Sequence, residues 1–209
     1  MADLSGFLSE LASESPTPGG GSVAALAGSL GAALNSMVCN LTIGKKKYAE
    51  VESEMEELLG KAESLRLELA RLIDEDAAAF DKFMDAMKLP KETDGDKAKR
   101  RDAMQSALVD AATVPLAVME KCVEVASLAR DAAAKGNRNA VSDAGVAVLM
   151  ARAGAHAARL NVIINLGSIS APEHKAFVDM ASEAVQTLAA DADSYADEVM
   201  SVVETKLAG

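Results

Sequence analysis

Asp76 is the residue whose position asks most of its chemistry. It shares a heptad phase with Met55, Ala62, Leu69 and Phe83, and Leu72, Ile73 and Phe80 lie within a turn of it. A carboxylate at that phase points into an apolar seam, where an unpartnered charge costs several kcal/mol. Two readings follow from position alone. Asp76 is an acid with a shifted pKa at a functional site, or a buried acid satisfied by a lysine or by backbone donors of a neighbouring helix. Asp143, Asn161 and Asn165 pose a similar question, because spacings of eighteen and four residues put them near one line of an otherwise apolar helix. They read as a polar pocket or as a satisfied core network, and Asp143 by itself also suits a helix's first turn, where it complements the dipole.

Other segments offer weaker chemistry. The run Pro18-Gly19-Gly20-Gly21-Ser22 presents backbone N–H groups to an anion at a helix N-terminus, or is simply a turn. Lys45-Lys46-Lys47 closes the following helix as a solvated cationic cap or as a source of positive charge for a ligand. His156 lies beside Arg152 and Arg159 on a helix face, and His174 sits in an N-terminal turn. Neither has a second ligand at metal-binding spacing, so no metal site is expected. Cys39 and Cys122 fall on apolar faces and read as core.

The elements that must position these groups are helices. Alanine supplies 42 of 209 residues, aromatics only 3%, and tryptophan is absent, so the composition is all-α. Leu4, Phe7, Leu8 and Leu11 open the chain as a short amphipathic helix behind Asp3, a cap, and Pro16 and Pro18 end it. From Ser22, read as an N-cap, an apolar helix runs to Ile43, and no charge stands between Glu14 and Lys45. Its length imitates a membrane span. Asn35, Asn40 and the stripe Ala24, Gly28, Ala32 and Ser36 favour a central buried helix instead.

A very long helix follows from Tyr48 to about Met87, on Met55, Leu58, Ala62, Leu65, Leu69, Leu72, Ala79 and Phe83. Leu89 to Gly95 reads as a loop, Asp96 to Lys135 as a second long helix kinked at Pro115, and Gly136 as its left-handed terminator. Asn139 to Asn165 forms another central helix. Ser170 to Glu173 forms a capping box before a last helix on Phe177, Met180, Ala184, Leu188, Tyr195, Val199 and Val202. Absence of repeats or linkers makes residues 1–209 one domain of about six helices.

Net charge of −11 argues against nucleic acid as a partner. Two distant cysteines and no recognisable signal peptide point to the cytoplasm rather than to a membrane or the cell exterior.

Pro16-Thr17-Pro18-Gly19-Gly20-Gly21-Ser22, the stretch Met37 to Tyr48, Asp74-Glu75-Asp76-Ala77-Ala78-Ala79-Phe80, and Asn139 to Ala147 followed by Asn161-Val162 stand in an order that resembles the cyclodeaminase/cyclohydrolase family. That family comprises the C-terminal domain of formiminotransferase-cyclodeaminase and stand-alone bacterial methenyltetrahydrofolate cyclohydrolases. The resemblance implies an all-helical homodimer acting on a tetrahydrofolate derivative without a metal or redox cofactor. Cyclohydrolases hydrate 5,10-methenyltetrahydrofolate to 10-formyltetrahydrofolate, and cyclodeaminases close 5-formiminotetrahydrofolate to the methenyl compound with loss of ammonia. The chain carries no transferase domain, which directs the expectation to the cyclohydrolase. A non-catalytic dimeric folate-binding or scaffold protein is the alternative of another class. By the same resemblance Asp76 is the expected base, Lys47 a cation beside the developing alkoxide, and Asp143 with Asn161 the acceptors for the pterin. Pro18, Gly19, Gly20, Gly21, Ser22 and Asn139 complete the expected substrate site.

Overall fold

The computed structural model describes residues 4–208, and Asp3, the expected first cap, lies outside the described residues. Six α-helices and no strand occur among them: α1 Leu4–Leu11, α2 Gly20–Asn40, α3 Glu52–Met87, α4 Asp94–Lys135, α5 Val141–Leu166 and α6 Lys175–Ala208. Short 3-10 turns at Lys46–Val51, Arg138–Ala140 and Pro172–His174 precede α3, α5 and α6. Helix α2 is enclosed by α3, α4 and α5, while α6 packs on α4 and α5. The core is built largely of alanine and valine, with Met55, Leu69 and Met119 its largest fully buried side chains.

Small residues let α2 lie almost backbone to backbone on α5. A Cβ on Gly31 would stand 2.8 Å from the Ala147 carbonyl oxygen, and one on Gly154 would stand 2.9 Å from that of Ala24. The contacts pair the start of α2 with the end of α5 and the reverse, so the two helices run antiparallel. Both α2 and the segment Arg138–Leu166 are long and apolar enough to cross a membrane. In this fold α2 instead spends that apolarity on three neighbouring helices.

Several element boundaries differ from the sequence expectation, each for a local reason. Ser22 is not the N-cap of α2. Gly19 is, and Ser22 is buried in the first turn, where its side chain binds α3 instead of its own helix. Tyr48 leaves helical geometry (φ −117°, ψ 15°), so α3 starts only at Glu52. The Tyr48 hydroxyl accepts the Arg138 N–H at 3.0 Å and lies within bonding range of the Asn137 side chain, which ties this turn to the start of α5.

The next loop is shorter than expected, because Thr93 and Asp96 form a reciprocal capping box that starts α4 at Asp94, with Gly95 inside the helix. Gly136 ends α4 in an extended conformation (φ −69°, ψ 177°) rather than a left-handed one. Glycine is needed there for space, since a Cβ would overlap the Ala132 carbonyl and crowd Val38. No capping box opens α6. The backbone N–H groups of Ser170 and Ala171 both donate to Gln105 Oε1, from α4, at 2.7 and 2.9 Å. The buried face of α6 overlaps the expected stripe only in part: Val199 is buried as expected and Met180 faces solvent, while Ala181, Val185, Ala192, Ala196 and Val203 take the other inward positions.

Gly31→Val tests the close approach. Its branched side chain meets backbone that cannot rotate away, so the urea midpoint should fall by an amount equivalent to about 1–3 kcal/mol.

Candidate functional site

One cavity gathers Asp76, Asn161, Asn165 and the glycine run singled out from the sequence. It has a volume of about 350 Å3 and lies at the N-terminal end of α2. The loop residues Pro16 and Thr17 and the helix start at Gly19, Gly20 and Gly21 form one wall. Asp76, Phe80 and Phe83 of α3 form the second, and Leu108 and Ala111 of α4 the third. Asn161, Ile164 and Asn165 of α5, with Ser168 beyond it, close the remainder. Two phenylalanine rings and a few convergent polar groups make a slot suited to a flat polar heterocycle.

Asp76 meets α2 where a side chain would ordinarily stand. A Cβ on Gly21 would overlap its carboxylate, so glycine at 21 is what admits the acid to the helix terminus. There Asp76 accepts from the Ser22 backbone N–H and, at 3.0 Å, from the Ser22 hydroxyl. Burial is the larger influence and raises the Asp76 pKa above the ordinary aspartate value of 3.8, while the two Ser22 bonds pull it partly back. Among the described residues Asp76 forms no ion pair, so the buried-lysine alternative is replaced by a serine and a helix N-terminus. The Ser22 hydroxyl also lies 3.1 Å from the Ile73 carbonyl oxygen. Its single proton can therefore go to ionised Asp76, or to Ile73 while protonated Asp76 donates to the serine oxygen, so both charge states are bonded.

Proline creates the next feature. Pro115 has no N–H for the carbonyl of Ala111, which lines the cavity. Asn165 Nδ2 donates to that carbonyl at 2.7 Å, and α4 continues as one helix of 42 residues. Asn161 Nδ2 donates back to Ala157 of its own helix at 3.0 Å, which leaves its Oδ1 to accept from a ligand. Asn165 and Asn161 thus face one cavity with different tasks.

Lys47, Asn139 and Asp143 are not in this cavity. Lys47 is exposed in the turn after α2, its Nζ 5.5 Å from the centre of the Tyr48 ring. Asn139 is exposed in the turn before α5, where its N–H donates to Asn137 Oδ1, and Asp143 is in the first turn of α5. The 21 residues of α2 separate this end from Asp76 by about 30 Å at 1.5 Å per residue. Pro18 is half-buried in the loop leading to the cavity but not on its lining.

The remaining candidates have local roles. His156 and Arg152 both bind Asp193 of α6, at 2.9 and 2.6 Å. Burial pushes the Cys39 and Cys122 thiols up to about 11 and about 12, which makes them unreactive core. Among the described residues no group of three His, Cys, Asp or Glu side chains is arranged to hold a metal ion.

The family model described as formiminotransferase-cyclodeaminase matches residues 3–203. The chain belongs to this family. A methenyltetrahydrofolate cyclohydrolase of Methylorubrum extorquens is 48% identical over 96% of this chain and 95% of its own length. The formimidoyltransferase-cyclodeaminase of Sus scrofa is 35% identical over 97% of this chain, which corresponds to 37% of that longer protein. A crystal structure of formiminotetrahydrofolate cyclodeaminase from Thermotoga maritima matches with a TM-score of 0.86 at 33% identity, over 98% of this chain and 96% of the other. The all-helical architecture is therefore that of the formiminotransferase-cyclodeaminase family.

The proline-asparagine pair makes a separable prediction. Asn165→Leu should leave the Ala111 carbonyl unpaired and lower stability by about 1–3 kcal/mol. In a Pro115→Ala background, where residue 115 regains its N–H, the same change should cost clearly less. Urea midpoints of the four proteins in the cycle measure the difference.

Proposed function

We propose that this protein is a methenyltetrahydrofolate cyclohydrolase, which adds water to 5,10-methenyltetrahydrofolate to give 10-formyltetrahydrofolate. The observation that carries the reading is 48% identity to the Methylorubrum enzyme across nearly all of both chains. The cavity supports it with two phenylalanine side chains, one carboxylate and amide groups for a polar ring.

The chemistry assigned to Asp76 follows from its surroundings. The methenyl carbon between N5 and N10 carries a delocalised positive charge, and the Asp76 carboxylate stabilises that cation and accepts a proton from the attacking water. The product of this step is a neutral tetrahedral carbon bearing a hydroxyl. Protonated Asp76 then returns its proton to N5 as the C–N5 bond breaks, the hydroxyl loses its proton to solvent, and the C–O bond becomes the formyl carbonyl. The balance is one water consumed and one proton released, so the reaction as written requires no cofactor. A pKa raised by burial suits both halves, since it makes the carboxylate a stronger base and leaves an acid able to protonate nitrogen. The Oδ1 of Asn161 accepts from the donor edge of the pterin, and glycine at 21 makes room for the Asp76 carboxylate beside it.

Cytoplasmic residence and a homodimeric state belong to the same proposal. The rival reaction, ring closure of 5-formiminotetrahydrofolate with loss of ammonia, is favoured by the Thermotoga structure's description and passes through a tetrahedral carbon at the same place. Incubation with each substrate decides between them. Loss of the methenyl compound's near-ultraviolet absorbance well above the uncatalysed rate is expected. Faster ammonia release from the formimino compound would assign the cyclodeaminase instead, and binding without either reaction would indicate a folate-binding scaffold.

Asp76→Asn should reduce kcat by roughly 10²-fold or more while the urea midpoint is held or raised, because it removes the base and the desolvated charge but keeps the volume. Near-normal turnover would remove Asp76 from the mechanism. The pH profile has a definite sign. With the folded pKa raised, the burial penalty is absent below 3.8 and complete above the folded value. Activity, which needs the carboxylate, should fall as pH drops through that raised value. Ser22→Ala removes a bond to the ionised form and should move this acid limb of kcat/KM to higher pH.

A further inference from the structure

Pro115 is an unfavourable residue for its position. Inside a helix proline ranks well below alanine, because it lacks an N–H and crowds the carbonyl four residues back. Helix α4 nevertheless buries one a single turn beyond Ala111, which lines the cavity. What the proline changes there is one carbonyl, left without its helical donor.

That carbonyl decides the orientation of Asn165. A carbonyl can only accept, so it takes the Nδ2 end of the amide, at 2.7 Å. Turned over, the amide would set its own oxygen against the Ala111 oxygen, acceptor against acceptor. The end that remains is Oδ1, which has no hydrogen-bond partner among the described residues and belongs to a side chain that lines the cavity. One turn earlier Asn161 is fixed in the same sense, with Nδ2 on the Ala157 carbonyl at 3.0 Å. Residues four apart share a helix face, so α5 shows the cavity two neighbouring amide oxygens, with the Asp76 carboxylate on the same lining. Such a row of acceptors matches a ring edge carrying N–H groups side by side and rejects an edge of lone pairs. A pterin has that edge in its N3–H and 2-amino group.

We propose that Pro115 is a positioning residue for substrate recognition: by withholding an N–H from Ala111 it holds Asn165 with its oxygen toward the cavity, where Asn165 and Asn161 together accept from N3–H and the 2-amino group of the pterin. The identity of the ring rests on the cyclohydrolase reading; the orientation of the amide does not.

Two measurements on the full-length protein test the proposal, with Pro115→Ala, Asn165→Leu and the double variant. Selective 15N-asparagine labelling gives six side-chain amides, and that of Asn165 is the one lost in Asn165→Leu. Its exchange with water should be slow in the wild type and several-fold faster in Pro115→Ala, where residue 115 serves Ala111 instead. An unchanged rate would overturn the positioning role whatever the activity. The second measurement is KM for 5,10-methenyltetrahydrofolate, with Kd for 5-formyltetrahydrofolate as a reading free of turnover. Asn165→Leu should raise both by about tenfold with kcat little changed, and Pro115→Ala by about threefold while its urea midpoint is held or raised. In the double variant the proline change should add nothing to the effect of Asn165→Leu, because its only route to the substrate is gone. Effects that multiply, or a Pro115→Ala protein whose urea midpoint falls as its KM rises, would make Pro115 a merely structural residue. Wild-type affinity in Asn165→Leu would remove Asn165 from ring recognition. If the wild-type protein neither binds nor turns over a folate, the functional reading fails and the ring with it, while amide exchange still decides the orientation.

Discussion

The cavity depends on how closely α2 can approach its neighbours. Gly31 and Gly154 bring its backbone against α5, and Gly21 lets a carboxylate from α3 occupy the space of a missing side chain. A methyl group at any of these positions would meet backbone oxygen or the acid itself. With larger residues α2 would stand farther out, Asp76 would lose the Ser22 N–H and hydroxyl, and the slot between the glycines and the two phenylalanines would open to water. The chargeless sequence from Glu14 to Lys45 belongs to the same constraint, because a helix gripped on several sides has little room for an ion.

Asp76 is held between opposing effects. Burial disfavours its charge and the first turn of α2 favours it, with burial the stronger of the two. Ser22 can bond either protonation state, so the site need not rearrange when the proton moves. This combination suits proton transfer more than stability, since an apolar residue would fill the same volume without desolvating a charge.

A comparable exchange occurs at Pro115. The proline removes one rung of the α4 ladder, and a side chain from α5 restores the bond across the cavity. Loss of a local hydrogen bond thereby becomes a contact between α4 and α5 at the site. At the other end Tyr48 and Asn137 join the turn after α2 to the turn before α5. Side-chain bonds thus join both ends of the antiparallel α2–α5 pair to their surroundings.

Helical class, the central position of α2, the burial of both cysteines and the phase of Asp76 were legible in the sequence, because each follows from periodicity and composition along one chain segment. The ordered motifs likewise sufficed to indicate the family. The caps were less legible: Gly19 stands at the N-cap of α2 with no side-chain bond while the Ser22 hydroxyl binds α3, and Gln105 of α4 takes the place of a capping box before α6. The missing N–H of Pro115 was visible in the sequence, but Asn165 as its partner was not. The motifs also gave no sign that Lys47, Asn139 and Asp143 would stand a helix length from Asp76. Spacing along a chain sets which face of a helix a residue occupies, whereas distance between motifs depends on how the helices fold back on one another, and only the tertiary structure decides that.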